Sequence, residues 1–400
     1  MNFHLSENEN NCKSTVLTQP KSKAESKLPI KGQGIVRACP SSIENHLTIT
    51  LTSYDLKKKC IFYIGYDCFK IIAFNESART ELYRSSAPAL LVEQDQTNQS
   101  YWISLDSNNR KIRYGKGEPL PDLILREFSW QDSDDFEGIG PHLQLVITEV
   151  SRPETSTVLR NPVNLTPQPI IIPEDEITLD IIAQNTRSVV RDLPMACQTL
   201  YGHIAHEKIN LAPPDFPEFA QAIQYSINRP GGICHEKLKE KDPNFGYLRI
   251  TLDPNLGDSP GQPYVLEIWP AGNGSPVHNH GGACAVIKVL HGQIEISWYS
   301  TLSPAVVQPW DKIIAHKDDV TFLTPNYYQV HRLFNPSPKN SGDFCATIQC
   351  YKYSAQDSAH YEYFDYIKEG EIKQFLPDSD WSYLDFKKAI QEEWQKEMKR

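Results

Sequence analysis

The stretch Trp269–Gly292, WPAGNGSPVHNHGGACAVIKVLHG, holds two histidines two residues apart, His278 and His280. In an extended segment that spacing turns both imidazoles to one face, where two neutral nitrogens can converge on one ion. A third histidine, His331, occurs in YYQVHRLFN and is followed by Asn335. Three imidazoles with no obligatory fourth ligand would leave coordination positions open for a substrate and oxygen. That pattern points to a catalytic metal rather than a structural one. Ordinary half-buried histidines are the plain alternative; the glycine-rich approach and the His-x-x-x-Asn spacing weigh against it.

These residues need strands to carry them. YLRITL, YVLEIW, CAVIKVL, QIEISWY, VTFLTP, QVHRLF and ATIQCYKY are short β-rich runs separated by turn residues. Alternation in YLRITL puts Leu248, Ile250 and Leu252 on one face and Tyr247 and Arg249 on the other, so the latter pair can share an interior with the histidines. An arginine there suits bidentate capture of a carboxylate, although in isolation a surface ion pair explains it as well. Upstream, PEDEITLDIIAQNTRSVVRDL predicts an amphipathic helix, and a second is expected to start at Asp215 with a Phe219, Ile223 and Ile227 stripe. Short helices leading into a closed antiparallel sheet predict a small barrel.

Gly272, His278, His280, Gly292, His331 and Asn335 together resemble the two motifs of the cupin barrel. Most cupins place a glutamate ligand four or five residues after the second histidine, where this chain has Cys284 and Ala285. Without that acid the segment is similar to the thiol dioxygenases of the cysteine dioxygenase type I family. The resemblance implies that His278, His280 and His331 hold Fe(II). It also implies that Arg249 of Tyr247-Leu248-Arg249 binds the substrate carboxylate, that Trp269 forms wall with Tyr247, and that Tyr353 of Tyr353-Ser354 meets bound oxygen or thiolate. The implied activity is oxidation of L-cysteine by O2 to cysteine sulfinate, a step in cysteine catabolism and taurine biosynthesis. Alternatives are another carboxylate-bearing thiol such as 3-mercaptopropionate, or a non-catalytic cupin that binds ligands or partners. Two departures stand out. Unbroken spacing puts Ala285, not Cys284, where the animal enzymes have the cysteine they cross-link to that tyrosine, so no Cys284–Tyr353 thioether is expected. Tyr351 replaces the family's supporting histidine, which alters the outer hydrogen-bond network.

Composition sets the wider frame. Forty basic against fifty acidic residues give a net charge of −10, so the chain's field repels nucleic acid and anionic membranes. Neither is expected as a partner. Nine cysteines without a CxxC pair argue against a disulfide framework and fit a reducing, cytoplasmic setting. No GxGxxG or P-loop lies between a strand and a helix to hold a nucleotide, and HxxHE at His203–Glu207 matches no zinc-protease pattern. With 19 Tyr, 29 Pro and 20 Gly, the chain is expected to be mainly β.

The expected organisation is a disordered tail over 1–42, a β-sandwich over 43–150, a proline-rich linker over 151–173, the cupin over 174–385, and a terminal helix or tail over 386–400. Residues 45–150, with FYIGYDCFKIIAFNESARTELYR and YWISLDSNNRKIRYGKG, resemble the farnesoic acid O-methyltransferase-like domain. No glycine-rich loop for a methyl-donor nucleotide accompanies it. The resemblance therefore implies a module for a protein or small-ligand partner rather than a methyltransferase.

Overall fold

A computed structural model describes residues 17–18, 28–40, 43, 46–76, 78–93, 99–129, 143, 145–151, 156–159, 167–243, 245–252, 264–353, 364–375 and 378–399. The chain is mainly β, with antiparallel sheets in both halves.

The N-terminal half stacks two six-stranded sheets. One runs in the order Leu17–Thr18, Ser156–Leu159, Gln33–Ala38, Tyr101–Asp106, Lys111–Lys116, Ile124–Ser129. The other runs Leu28–Lys31, Leu145–Val150, His46–Ser53, Lys58–Gly65, Phe69–Asn75, Ala78–Ser85. Alternation in LTITLTS sends Leu47, Ile49 and Leu51 inward, and all three are fully buried. Phe69 from one sheet stacks on Tyr114 from the other, with ring centroids 4.6 Å apart. Burial of side chains of this size contributes roughly 1.5–3 kcal/mol each, which is what joins the layers.

The expected boundaries of this half need correction. Leu28–Lys31 and Gln33–Ala38, read as disordered tail, are strands, and Ser156–Leu159, read as linker, pairs with Gln33–Ala38. Averaged over 1–42 the apolar content is low, yet within that stretch Ile30, Val36 and Ala38 complete a core shared with the neighbouring strands. The rest of the supposed tail and linker lies largely outside the described residues. Ile170–Ile172 are buried against the second half.

In the C-terminal half the helices are shorter than the periodicity predicts. Thr178 caps Leu179–Gln184 by accepting the Ile181 amide, and Asn185 in the left-handed region ends it after six residues. Met195–Ile204 and Ile233–Lys239 are further helices that the sequence reading did not anticipate. Phe219–Asn228 starts later than expected, because Asp215 holds Lys387 at 2.6 Å instead of capping it; its Phe219, Ile223 and Ile227 stripe is buried as predicted.

The strands do not close into one ring. A six-stranded sheet runs Val320–Leu323, Cys284–His291, Phe344–Lys352, Tyr264–Pro270, Leu248–Thr251, Trp381–Ser382, and a three-stranded sheet runs Asp311–His316, Gln293–Trp298, His331–Phe334. Among the described residues no ladder joins these two sheets, so the expected closed barrel is an arrangement of two open sheets around one core. A bulge between Val289 and His291 bends the chain into the turn at Gly292, from which it enters the second sheet. Gly292 has φ +71°, and a Cβ there would stand 2.5 Å from the Phe344 carbonyl oxygen. Gly292→Ala is expected to cost about 1–3 kcal/mol, measured as a lower midpoint in urea unfolding with an unchanged slope.

At the sheet's far edge, Trp381–Ser382 adds a parallel strand to Leu248–Thr251. Asp380 fastens it there: its carboxylate accepts the Arg249 amide at 2.9 Å, its own amide donates to the Arg249 carbonyl at 2.7 Å, and Lys241 approaches at 2.6 Å. The helix Tyr383–Met398 follows, capped by Ser382 and packed through Phe386 and Ile390. It begins three residues ahead of the expected terminal segment. No described helix is long and apolar enough to cross a membrane.

Candidate metal centre

The ligand atoms of His278, His280 and His331 all lie within 4.8 Å of one another, and no Asp, Glu or Cys joins them in that cluster among the described residues. His278 and His280 do not sit in a regular strand. Pro276 and the Gly281–Gly282 turn interrupt the ladder, and His278 is held by a two-residue bridge to His331, with reciprocal N–H···O bonds of 3.0 Å. The segment stays extended enough to keep the two-residue spacing on one side. His331 opens the strand His331–Phe334 beside Trp298.

Each ring is oriented by its surroundings. His278 Nδ1 lies 3.0 Å from the Pro276 carbonyl, so that nitrogen carries the proton and donates it, and Nε2 keeps a lone pair that can ligate a metal. The His331 ring hydrogen-bonds the Tyr328 backbone, and its Nε2 lies 3.1 Å from His280 Nε2. His280 stacks on Tyr351 and meets the edge of Phe364, while its buried Nδ1 has no partner. Burial holds His278 neutral, down to about 4, and pushes His280 and His331 well below the usual imidazole range, with the neighbouring rings adding to the shift.

The set fits a transition metal. Metal–nitrogen bonds of about 2.0–2.1 Å bring ligand atoms roughly 3 Å apart, the separation seen between His280 and His331. Three neutral nitrogens suit iron, cobalt, nickel, copper or zinc and not the oxygen-seeking calcium or magnesium. Between about pH 4 and 6.5 the unfolded chain binds protons that the folded site refuses, so stability falls as pH drops through that window. The metal-free protein is expected to lose stability on acidification from pH 7 to 4.5. Unfolding at several pH values checks this, and His278→Gln is expected to flatten the dependence.

Beside the triad lies a cavity of about 210 Å³, lined by Tyr247, Arg249, Trp269, His278 and His280 among others. Tyr247 stacks on Trp269 at 4.2 Å, and the Trp269 indole donates to Thr347 at 3.2 Å. Asn335 fastens the Trp269 end, its side-chain amide donating to the Trp269 carbonyl at 2.9 Å. Tyr353, expected to face the ligands, instead packs half-buried against the core and is not among the lining residues; Tyr351 takes that place. Ser354 lies outside the described residues. Ladder register pairs Ala285 with Tyr351 and turns the intervening Cys284 to the opposite face, toward the Cys197 thiol.

Other parts of the wall were not anticipated. The Tyr351 hydroxyl donates to Gln349, whose amide donates to Glu267, whose other oxygen lies 3.6 Å from Arg249 Nε. Burial pushes Glu267 up to about 7 even though Arg249 pulls it down. The signal was present in YVLEIW, where one acid stands inside an otherwise apolar strand that is buried from Val265 to Trp269. The hairpin of Phe364–Lys368 with Glu371–Phe375 supplies Phe364 and Tyr366 as a further wall. Asn279 secures it by exchanging hydrogen bonds with the Asp365 backbone.

Fold and site define a mainly β protein with a three-histidine candidate metal centre opening on a mixed-charge cavity. No protein-family model matches the chain. Solved structures similar to part of it include the cupin domain of an XRE-family transcriptional regulator from Enterobacter cloacae, at 13% identity and TM-score 0.21, covering 27% of this chain and 97% of that one. Oxalate oxidase in complex with the substrate analogue glycolate shows 15% identity and TM-score 0.22, over 28% of this chain and 53% of that one. The cupin domain of Schizosaccharomyces pombe Cnp3 shows 15% identity and TM-score 0.21, over 27% and 65%. This chain thus spans about half the length of the oxalate oxidase. Likenesses this slight carry no argument about family or activity.

Proposed function

We propose that this protein is an iron-dependent thiol dioxygenase acting on L-cysteine. The observation that carries the reading is a triad of neutral imidazoles that no carboxylate joins among the described residues, set beside a cavity that holds a buried arginine. Such a triad leaves the charge of a divalent ion uncompensated, which favours a substrate thiol binding as thiolate. Ferrous iron, when bound by His278, His280 and His331, would supply the site at which thiolate and O2 meet. The overall change is R–SH + O2 → R–SO2H; sulfur supplies all four electrons and no organic cofactor is consumed.

The chain's own residues orient the substrate. Arg249 presents a guanidinium to the substrate carboxylate, and Glu267 beside it offers the opposite charge. A wall with both signs suits a zwitterionic amino acid better than the bare anion 3-mercaptopropionate, and cysteamine, which has no carboxylate, would give Arg249 nothing to bind. The phenol of Tyr351, held protonated by burial, donates to Gln349 and keeps the chain of side chains in register. Tyr247, Trp269 and Phe364 supply apolar surface that excludes water.

The test is metal content and thiol-dependent O2 uptake of the purified protein. About one iron per chain, and a kcat/KM for cysteine above that for 3-mercaptopropionate, are expected. A folded protein that takes up iron yet consumes no oxygen with any small thiol would instead be a ligand-binding protein, and the proposal would be wrong.

A further inference from the structure

We propose that Glu118, a residue of the N-terminal sandwich, is a positioning residue of the three-histidine centre, so that the sandwich sets the geometry of the ligands rather than forming a separate module. The inference rests on the reading of the triad as a metal site.

Glu118 is 3% exposed and reaches into the C-terminal half. One carboxylate oxygen accepts the Tyr328 amide at 2.6 Å and the other accepts the Gln329 amide at 2.7 Å. Both contacts fall on the turn just before His331. Tyr328 there has φ +67°, a left-handed conformation rare for a side chain of its size, which persists only when its surroundings impose it. From this turn the contacts divide toward two ligands. The Tyr328 backbone is hydrogen-bonded to the His331 ring. The Gln329 side chain donates to the Ala283 carbonyl at 2.7 Å and accepts the Gly282 amide at 3.1 Å, and the Ala283 amide donates to the His280 carbonyl at 3.0 Å. A single carboxylate therefore braces the approach to His331 and, through Gln329, the turn after His280.

Neighbouring contacts hold the two halves at this spacing. Arg37 of the sandwich donates to the Pro325 carbonyl and the Asn326 side chain, each at 3.1 Å, on the same turn. The Tyr328 hydroxyl donates to the Pro167 carbonyl. Gly117, adjacent to Glu118, comes so near the second half that a Cβ would lie 2.4 Å from the Ser300 carbonyl oxygen; with φ +76° only glycine suits the position. Outer partners that orient metal ligands typically govern affinity 10–100-fold, and Glu118 is two hydrogen-bonded steps from His331.

The full-length protein carrying Glu118→Gln tests this, with Glu118→Ala as a second variant. Hydrogen exchange is measured on the metal-free forms and Co(II) affinity by absorption titration. Faster exchange confined to 278–283 and 326–333, with the strand Lys58–Gly65 as protected as in wild type, is expected, together with a 10–100-fold weaker grip on Co(II). Unchanged exchange in those two segments, or acceleration spread evenly over the chain, overturns the proposal. So does wild-type Co(II) affinity in both variants. Should the wild type itself take no Co(II), the metal reading falls, while the exchange comparison still decides whether Glu118 orders the ligand segments.

Discussion

His331→Gln is expected to abolish stoichiometric metal binding and thiol-dependent oxygen uptake together. Glutamine keeps most of the volume and a polar end against the Tyr328 backbone, but it removes one of the three nitrogens that meet within 4.8 Å. Loss of a direct ligand exceeds the 10–100-fold typical of outer partners, because two imidazoles cannot hold an ion that three held with open positions to spare. Metal analysis after dialysis, alongside a thermal melt of the metal-free protein, separates ligand loss from unfolding. A variant that retains one ion per chain would show that the triad is not the binding site.

Arg249→Met is expected to carry the second largest effect, on both stability and KM. Arg249 and Glu267 are each less than a tenth exposed and lie 3.6 Å apart, so removal of the cation strands a carboxylate in a dry wall. Breaking such a pair typically costs about 3–5 kcal/mol. Glu267 is already pushed up to about 7, so it escapes part of that cost by taking a proton, and the variant should be less destabilised at pH 6 than at pH 8. Adding Glu267→Gln should restore much of the stability without restoring cysteine affinity. Equilibrium unfolding at the two pH values and steady-state kinetics measure the two effects; equal loss at both pH values would count against a buried, titrating Glu267.

Much of this site was legible in residue spacing. His278 and His280 announce themselves by a two-residue interval that survives even where the strand does not, and Tyr247 and Arg249, which the alternation of YLRITL puts on one face, both line the cavity. What stayed hidden depends on contacts between distant segments. Gln349 meets Glu267 across 82 residues, and Glu118 meets Tyr328 across 210, and no local pattern encodes either. Tyr351 and Tyr353 share a face by alternation; which of them lines the cavity depends on where the strand ends, and it ends at Lys352 with Tyr351 opposite Ala285, which sequence cannot give. The strands at 28–38 were missed because Ile30, Ile35, Val36 and Ala38 were averaged with the long polar stretch that precedes them, which masks a short buried segment.

The seam between Asp380–Ser382 and Leu248–Thr251 has a consequence for shortened versions of the protein. Cutting the chain before Asp380 would bare the hydrogen-bonding rim of the strand that carries Arg249 and strip Phe386 and Ile390 from the core beneath it. An uncovered strand rim such as LRIT invites another molecule to dock onto it, so the outcome to expect is self-association and precipitation rather than a smaller folded protein.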